Sequence, residues 1–281
     1  MKKVSIIIPC YNQAAYICET VESALAQTYP YIEIICINDG STDNSAEIIE
    51  KLAQKEDRLL FLNEKENKGV VQARNIAISK STGDYILPLD ADDTIEPAYV
   101  EKAVDILENN PEIGIVYCKA RLFGEKQGEW KLPEFSEKEF IYINSIFVSS
   151  LFRKSDFEKA GGYKEYMKEG YEDWDLWMSF LENGLKVFRI EEFLFNYRQH
   201  KKHKSASRTQ KIDKTKMDNI YKKIIECHFP LYLKDSSFID KVFRGQLKKL
   251  KKYKKLFKIS LITGIIEVFI IIALAAVVAG I

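Results

Sequence analysis

The strongest constraint on this chain is an alternation of short β-branched runs with amphipathic segments over its first ninety residues, joined by brief loops. "VSIIIP" is a buried-strand pattern closed by Pro9, and "AAYICETVESALAQ" places Ile17, Val21, Ala24 and Leu25 at helical spacing. "IEIICIND" predicts a second strand and "STDNSAEIIEKLAQK" a helix opened by Ser/Thr/Asp capping chemistry. A third strand, "RLLFLNE", a third helix, "VVQARNIAISKS", and a fourth strand, "DYILPLD", complete the pattern. Repeated strand–helix units with short connections predict an α/β fold with a mostly parallel sheet flanked by helices. In such sheets ligands bind outside the carboxyl ends of the strands. Asp39, the Asn67-Lys68-Gly69 turn and Asp90 all fall there.

The later chain is less regular. A helix is expected over 96–111, a strand over 113–124, a polar excursion after it, a helix over "EDWDLWMSFLENG" stopped by Gly184, and one or two strands over 186–200. Trp174 and Trp177 recur at helical spacing, which assigns them to the core. The C-terminus changes character. Lys241 to Lys258 holds nine Lys/Arg and no acid, leaving 33 basic against 41 acidic residues elsewhere. An acidic body with a basic tail is a poor nucleic-acid binder, so no nucleic-acid partner is expected. Ile259 to Ile281 is apolar nearly all round, with Glu267 its only charge, and 23 residues can span a bilayer. The lysine block before it favours the inner leaflet. These features predict a cell-membrane protein with a single-pass C-terminal anchor and a cytoplasmic body. The domain expectation is 1–210 for the main domain (1–110 the nucleotide-binding half, 111–210 the acceptor half), 211–258 a basic helical linker and 259–281 the membrane helix.

"YILPLDADDTIEP" sets Asp90, Asp92 and Asp93 at the exit of the fourth strand, where they repel one another. A hard divalent cation relieves that repulsion, since Mg²⁺ or Mn²⁺ takes one or two carboxylates and completes its shell with water and phosphates. A helix N-cap would account for one of the three acids and not for all. No G-x-G-x-x-G follows the first strand and no P-loop occurs, so a diphosphate held here depends on the metal. The five cysteines are scattered without a C-x-x-C, which suits buried apolar positions in a reducing compartment rather than a zinc site.

"VSIIIPCYNQ", "INDGSTDNS", "NKGVVQARNIAI", "GDYILPLDADD" and "YEDWDLWMSF" follow one another at spacings that resemble a family 2 glycosyltransferase of the GT-A fold, over residues 1 to about 210. The resemblance implies a membrane-anchored, bacterial-type enzyme that uses a nucleotide-diphospho-sugar donor, a divalent metal and an inverting single displacement. It implies that Pro9, Tyr11 and Asn12 border the nucleoside, that Asp39 accepts a hydrogen bond from the base, typically uracil, and that Arg74 lies near the donor. Asp90 would stand by the ribose or metal, Asp92 would be the principal metal ligand, and Asp173 the catalytic base. His200, in "YRQHKKHKSASR", matches a metal or diphosphate contact; a solvated basic loop is the competing reading, and His203 is a second candidate. For Glu172-Asp173 the competing reading is complementation of a helix dipole. The expected reaction is transfer of a sugar to a glycan or lipid-linked acceptor. A catalytically inactive, glycosyltransferase-like nucleotide-sugar-binding or scaffold module is the alternative.

Overall fold

The computed structural model describes residues 1–200 and 213–235, with 237, 238, 240 and 244. The expected membrane helix over 259–281, most of the basic stretch before it and His203 lie outside these residues. Among the described residues no helix is long and apolar enough to cross a membrane. The chain divides into two compact units, Met1–Phe229 and Pro230–Ile281.

The first unit opens as the alternation predicts: β1 (Val4–Cys10), α1 (Ile17–Leu25), β2 (Ile32–Asp39), α2 (Ser45–Ala53), β3 (Leu59–Glu64), α3 (Val70–Lys80) and β4 (Tyr85–Pro88). β1 is buried along its whole length, as a strand covered on both faces must be. The order β3-β2-β1-β4 is parallel throughout. After it come β5 (Thr94–Ile95), α4 (Tyr99–Asn109), β6 (Ile113–Gly124), β7 (Gly128–Glu129), α5 (Glu137–Phe140), β8 (Leu151–Arg153), α6 (Lys154–Lys159), α7 (Glu172–Glu182), β9 (Lys186–Gln199) and α8 (Lys214–Cys227).

The expectation of a mostly parallel sheet holds only for the first half. The nine-stranded sheet continues β8-β6-β9-β5 beyond β4, and β4/β8, β8/β6, β9/β5 and β6/β7 are antiparallel, so the whole is mixed. Parallel neighbours need a crossover helix. The chain from β6 to β8 instead makes a long excursion holding the two-residue β7 and the four-residue α5, and returns in the opposite direction. The region 186–200 forms one strand, β9, paired parallel to β6 with register shifts at Lys119.

Trp174 and Trp177 are buried as expected, at 1% and 0% exposure. Trp177 and Phe180 both meet Phe152 of β8 edge-on, with centroids 5.6 and 5.7 Å away, and so fix α7 against the sheet. Each such side chain contributes about 2–3 kcal/mol through its burial. Gly184 ends the helix with φ 79°, donating its N–H to the Leu181 carbonyl.

The sheet end opposite the strands' carboxyl termini is pinned by Glu33. Its carboxylate accepts hydrogen bonds from Ser5 Oγ, from the Thr82 N–H at 2.7 Å and from Thr82 Oγ1 at 2.8 Å, and pairs with Lys3 Nζ at 2.7 Å. Burial alone would raise its pKa, but these donors prevail and hold it at about 2. The depressed value means stability that is present above the unfolded pKa, about 4.3, and is lost as the pH falls toward 2. Glu33→Gln should therefore cost about 1–2 kcal/mol in urea unfolding at pH 7. The gap from wild type should close between about pH 5 and pH 2; a gap independent of pH would show that the ionised carboxylate is not what holds this edge.

Candidate active site

The carboxyl ends of β1, β2 and β4, the N-terminus of α7 and the end of β9 surround a cavity of about 430 Å³. Pro9, Tyr11, Asp39, Arg74, Asp90, Asp92, Asp173 and His200 all line it, so residues far apart in sequence meet as expected. Asn12 is placed differently. It adopts φ 54°, and its Oδ1 accepts the Thr42 N–H at 2.8 Å and the Asp43 N–H at 3.3 Å. It stitches the loop after β1 to the loop after β2. Asp43, in the run read as helix-capping, accepts N–H bonds from Ala14 and Ser45 and joins the same stitch.

Asp39 is fixed by the start of α3. Its two carboxylate oxygens accept the backbone N–H groups of Lys68 (2.8 Å) and Gly69 (2.9 Å), where the helix dipole favours a negative charge. The turn that brings them there needs Gly40. It has φ 68°, and a Cβ would stand 2.5 Å from the Asn67 nitrogen. Each Asp39 oxygen retains lone-pair capacity for a further donor.

Arg74 projects from α3 at 2% exposure and divides its guanidinium between two carboxylates. Nη2 meets Asp90 Oδ1 and Nη1 meets Glu172 Oε1, both at 2.6 Å. Burial alone would lower its pKa; Asp90 and Glu172 raise it instead. The three acids of "DADD" have separate duties. Asp90 faces Arg74. Asp92 Oδ2 lies 2.7 Å from His200 Nε2. Asp93 is buried, and its Oδ1 accepts the Arg198 N–H at 2.8 Å. Burial and the neighbouring carboxylates push both Asp92 and Asp93 upward.

A divalent cation fits the Asp92–His200 pair. A carboxylate oxygen and an imidazole nitrogen converge on one spot of the cavity, and a cation of this class needs few protein ligands when substrate phosphates complete its shell. Among the described residues no group of three or more His, Cys, Asp or Glu forms a full protein cage.

Asp173, also lining the cavity, sits in the first turn of α7, after Tyr171 in the left-handed region at φ 62°. Burial raises its pKa to about 7 and Glu172 adds to the rise, while the Trp174 N–H, Arg74 and the Asn144 side chain pull it back. The Asp173 Oδ1 accepts the Trp174 N–H at 2.7 Å, as helix-dipole complementation would have it, but burial outweighs that contact and raises the pKa. Such a group can accept a proton at physiological pH.

Glu172, read in the sequence only beside Asp173, is the partner of Arg74. Other lining groups escaped the sequence reading. Arg198 donates from Nε to the Asp92 carbonyl at 2.7 Å, pairs with Glu19 and lies over the rings of Phe123 and Tyr16 at 4.1 and 4.7 Å. Asn144 and Trp130 come from the irregular region. Only the Tyr-Arg preceding Gln199-His200 carried a trace of any of these in the sequence.

Replacing the shared cation isolates its contribution. Arg74→Met should destabilise the fold by about 3 kcal/mol in urea unfolding, because two carboxylates lose their partner. Adding Asp90→Asn and Glu172→Gln should recover part of that loss. Costs that simply add would show that the three groups are not coupled.

The family model described as glycosyl transferase family 2 matches residues 5–172. The Bacillus subtilis (strain 168) protein named putative glycosyltransferase EpsE is 30% identical over 203 residues, covering 70% of this chain and 73% of its own length. Two other curated relatives are matched over less than half their length, 38% in one case and 14% in the other. S. aureus TarS 1–349, solved in complex with UDP-GlcNAc, superposes with a TM-score of 0.67 at 18% identity, covering 82% of this chain and 66% of that one. The mannosyltransferase PcManGT from Pyrobaculum calidifontis, solved with GDP-Man and Mn²⁺, gives 0.58 at 21% identity, with 72% and 58% covered. These likenesses show the fold, an α/β arrangement of GT-A type. With the family model spanning more than half of the sequence, the chain belongs to glycosyl transferase family 2.

Proposed function

We propose that this chain transfers a sugar from a nucleotide-diphospho-sugar, with UDP as the carrier, to a hydroxyl of a glycan or lipid-linked acceptor, with inversion at the anomeric carbon. The observation that carries the reading is one cavity lined both by the Asp92–His200 pair and by Asp173, whose pKa burial raises to about 7, the pair and the acid coming from different elements. An inverting displacement needs this division: a base on the acceptor side of the sugar and a cationic centre on the leaving-group side. Solved structures of the same fold hold UDP-GlcNAc in one case and GDP-Man with Mn²⁺ in another.

In this reading Tyr11, Pro9 and Asp39 receive the nucleoside, with Asp39 using its remaining acceptor capacity for the base. Asn12 contributes indirectly, by holding the loops around that end. Asp92 and His200 would hold Mg²⁺ or Mn²⁺, and the bound cation supplies Lewis-acid stabilisation of charge on the diphosphate. Asp173 removes the proton from the acceptor hydroxyl. The new bond from that oxygen to the anomeric carbon forms as the bond from carbon to the β-phosphate oxygen breaks on the opposite face. UDP departs with the electron pair, and the proton stays on Asp173. Arg74 keeps Asp90 and Glu172 in register, and its charge helps to draw the Asp173 pKa back toward neutrality. From sequence alone, the proposal includes a membrane anchor at 259–281 with the catalytic unit in the cytoplasm.

Calorimetry of UDP binding to the full chain, with and without Mn²⁺, tests the donor half. Binding should require the metal and be lost in Asp92→Asn; failure of every nucleotide diphosphate to bind would favour a scaffold. UDP release from UDP-sugars tests the base. Asp173→Asn should bind UDP normally and turn over at least about 100-fold more slowly. Wild-type turnover should fall as the pH drops below about 7, where Asp173 becomes protonated. Unchanged turnover in the variant would assign the proton transfer elsewhere.

A further inference from the structure

Trp130 is the one tryptophan that is not core. The sequence has three; Trp174 and Trp177 are fully buried, while Trp130 is half-buried and lines the cavity. Its ring stacks on Tyr197 of β9, with centroids 4.5 Å apart and planes at 21°, and more loosely on Phe147 at 5.9 Å. Phe147 in turn stacks on Phe195 at 4.5 Å. The Trp130 N–H donates to the Ala120 carbonyl of β6 at 2.9 Å, which fixes the backbone beneath the ring. The result is a rigid aromatic wall held by backbone and stacking.

Three observations say which part of a substrate it faces. Asp39 ends β2, and the wall stands on β6 and β9, at least four strand positions away in the sheet order. The wall is thus built on a different part of the sheet from the strand that carries Asp39. The segment bearing Trp130 also bears Asn144, whose side chain hydrogen-bonds Asp173, and its Phe140 carbonyl accepts the Trp174 Nε1–H of α7 at 2.9 Å. The wall and the base therefore belong to one substructure. The same cavity is lined by the polar groups of Asn144, Gln199 and Glu172. A pyranose matches this surface, with an apolar C–H face for the ring and hydroxyl edges for the polar groups; an alkyl chain would desolvate those groups without return.

Resting on the proposed transfer reaction, we infer that Trp130, backed by Tyr197 and Phe147, is the stacking platform for a saccharide acceptor, so that the nucleophilic hydroxyl belongs to a sugar ring rather than to a lipid phosphate. The platform holds the ring while Asp173 reaches its hydroxyl.

The test uses the full chain with UDP and Mn²⁺ present. Tryptophan fluorescence is titrated with methyl glycosides and α- and β-linked disaccharides of glucose, N-acetylglucosamine, galactose and mannose, and separately with dodecyl phosphate. At least one saccharide should give a saturable change that vanishes in Trp130→Ala, while Trp130→Phe should bind it within about fivefold of wild type by calorimetry. That saccharide should also accelerate UDP release, with its KM raised about tenfold or more in Trp130→Ala. UDP affinity should be equal in all three proteins, which also reports that the variants are folded. A response to dodecyl phosphate alone, or none to any saccharide while UDP still binds, overturns the platform and leaves the transfer reading standing. Loss of affinity for UDP-sugars but not for UDP in Trp130→Ala assigns the ring to the donor sugar and equally overturns it. Absence of UDP binding in the wild type removes both.

Discussion

The site depends on one shared cation. Arg74 comes from α3 in the parallel half, Asp90 from the exit of β4 and Glu172 from the start of α7, a separation of 98 residues between Arg74 and Glu172. Two buried or half-buried carboxylates this close would repel each other and shift toward protonation. Between them the guanidinium makes the arrangement favourable, and because its nitrogens are fixed in one plane it sets direction as well as charge. The parallel half and the start of α7 are therefore located relative to each other by a buried ion network, while hydrophobic packing locates each within itself.

The crowded aspartates behave as a divided set. Asp90 is neutralised by Arg74, Asp92 meets His200, and Asp93 accepts a backbone N–H from Arg198. Arg198 completes a latch: its backbone binds Asp93, its side chain binds the Asp92 carbonyl, and its guanidinium lies over Phe123 and Tyr16. The third aspartate thus holds the end of β9, two residues before the imidazole that must reach Asp92. Repulsion within the cluster is offset by three different partners, Arg74 from α3, Arg198 at the end of β9 and His200 just after it.

A second buried charge cluster braces α7 from behind. His228 Nε2 lies 3.1 Å from Asp175 Oδ1, and its Nδ1 lies 3.1 Å from Glu182. Burial alone would lower the imidazole pKa, but the two acids raise it to about 9. Tyr166 donates its hydroxyl to the same Asp175 oxygen at 3.0 Å. With Trp177 and Phe180 against β8 and this cluster also on α7, the helix bearing Asp173 is anchored by both aromatic packing and buried charge.

By itself the sequence determined the parallel half, because hydrophobic period and loop chemistry are local properties and each strand there is closed by its own helix. It also determined which acids gather at the strand ends, since a strand's exit is set by its own residues, and it marked Trp174 and Trp177 as core through their spacing. Tertiary structure decided what those acids do. Asn12 reads like a ligand contact and is a loop staple, because the loop that its amide binds is 30 residues away. The antiparallel strands β8 and β5 are three and two residues long, too short to show a period, and are formed by the neighbours they meet. Arg74 joining two carboxylates, the raised pKa of Asp173 and the stack around Trp130 all require groups from distant segments in one low-dielectric place. Desolvation and stacking act across space, and no local pattern encodes them.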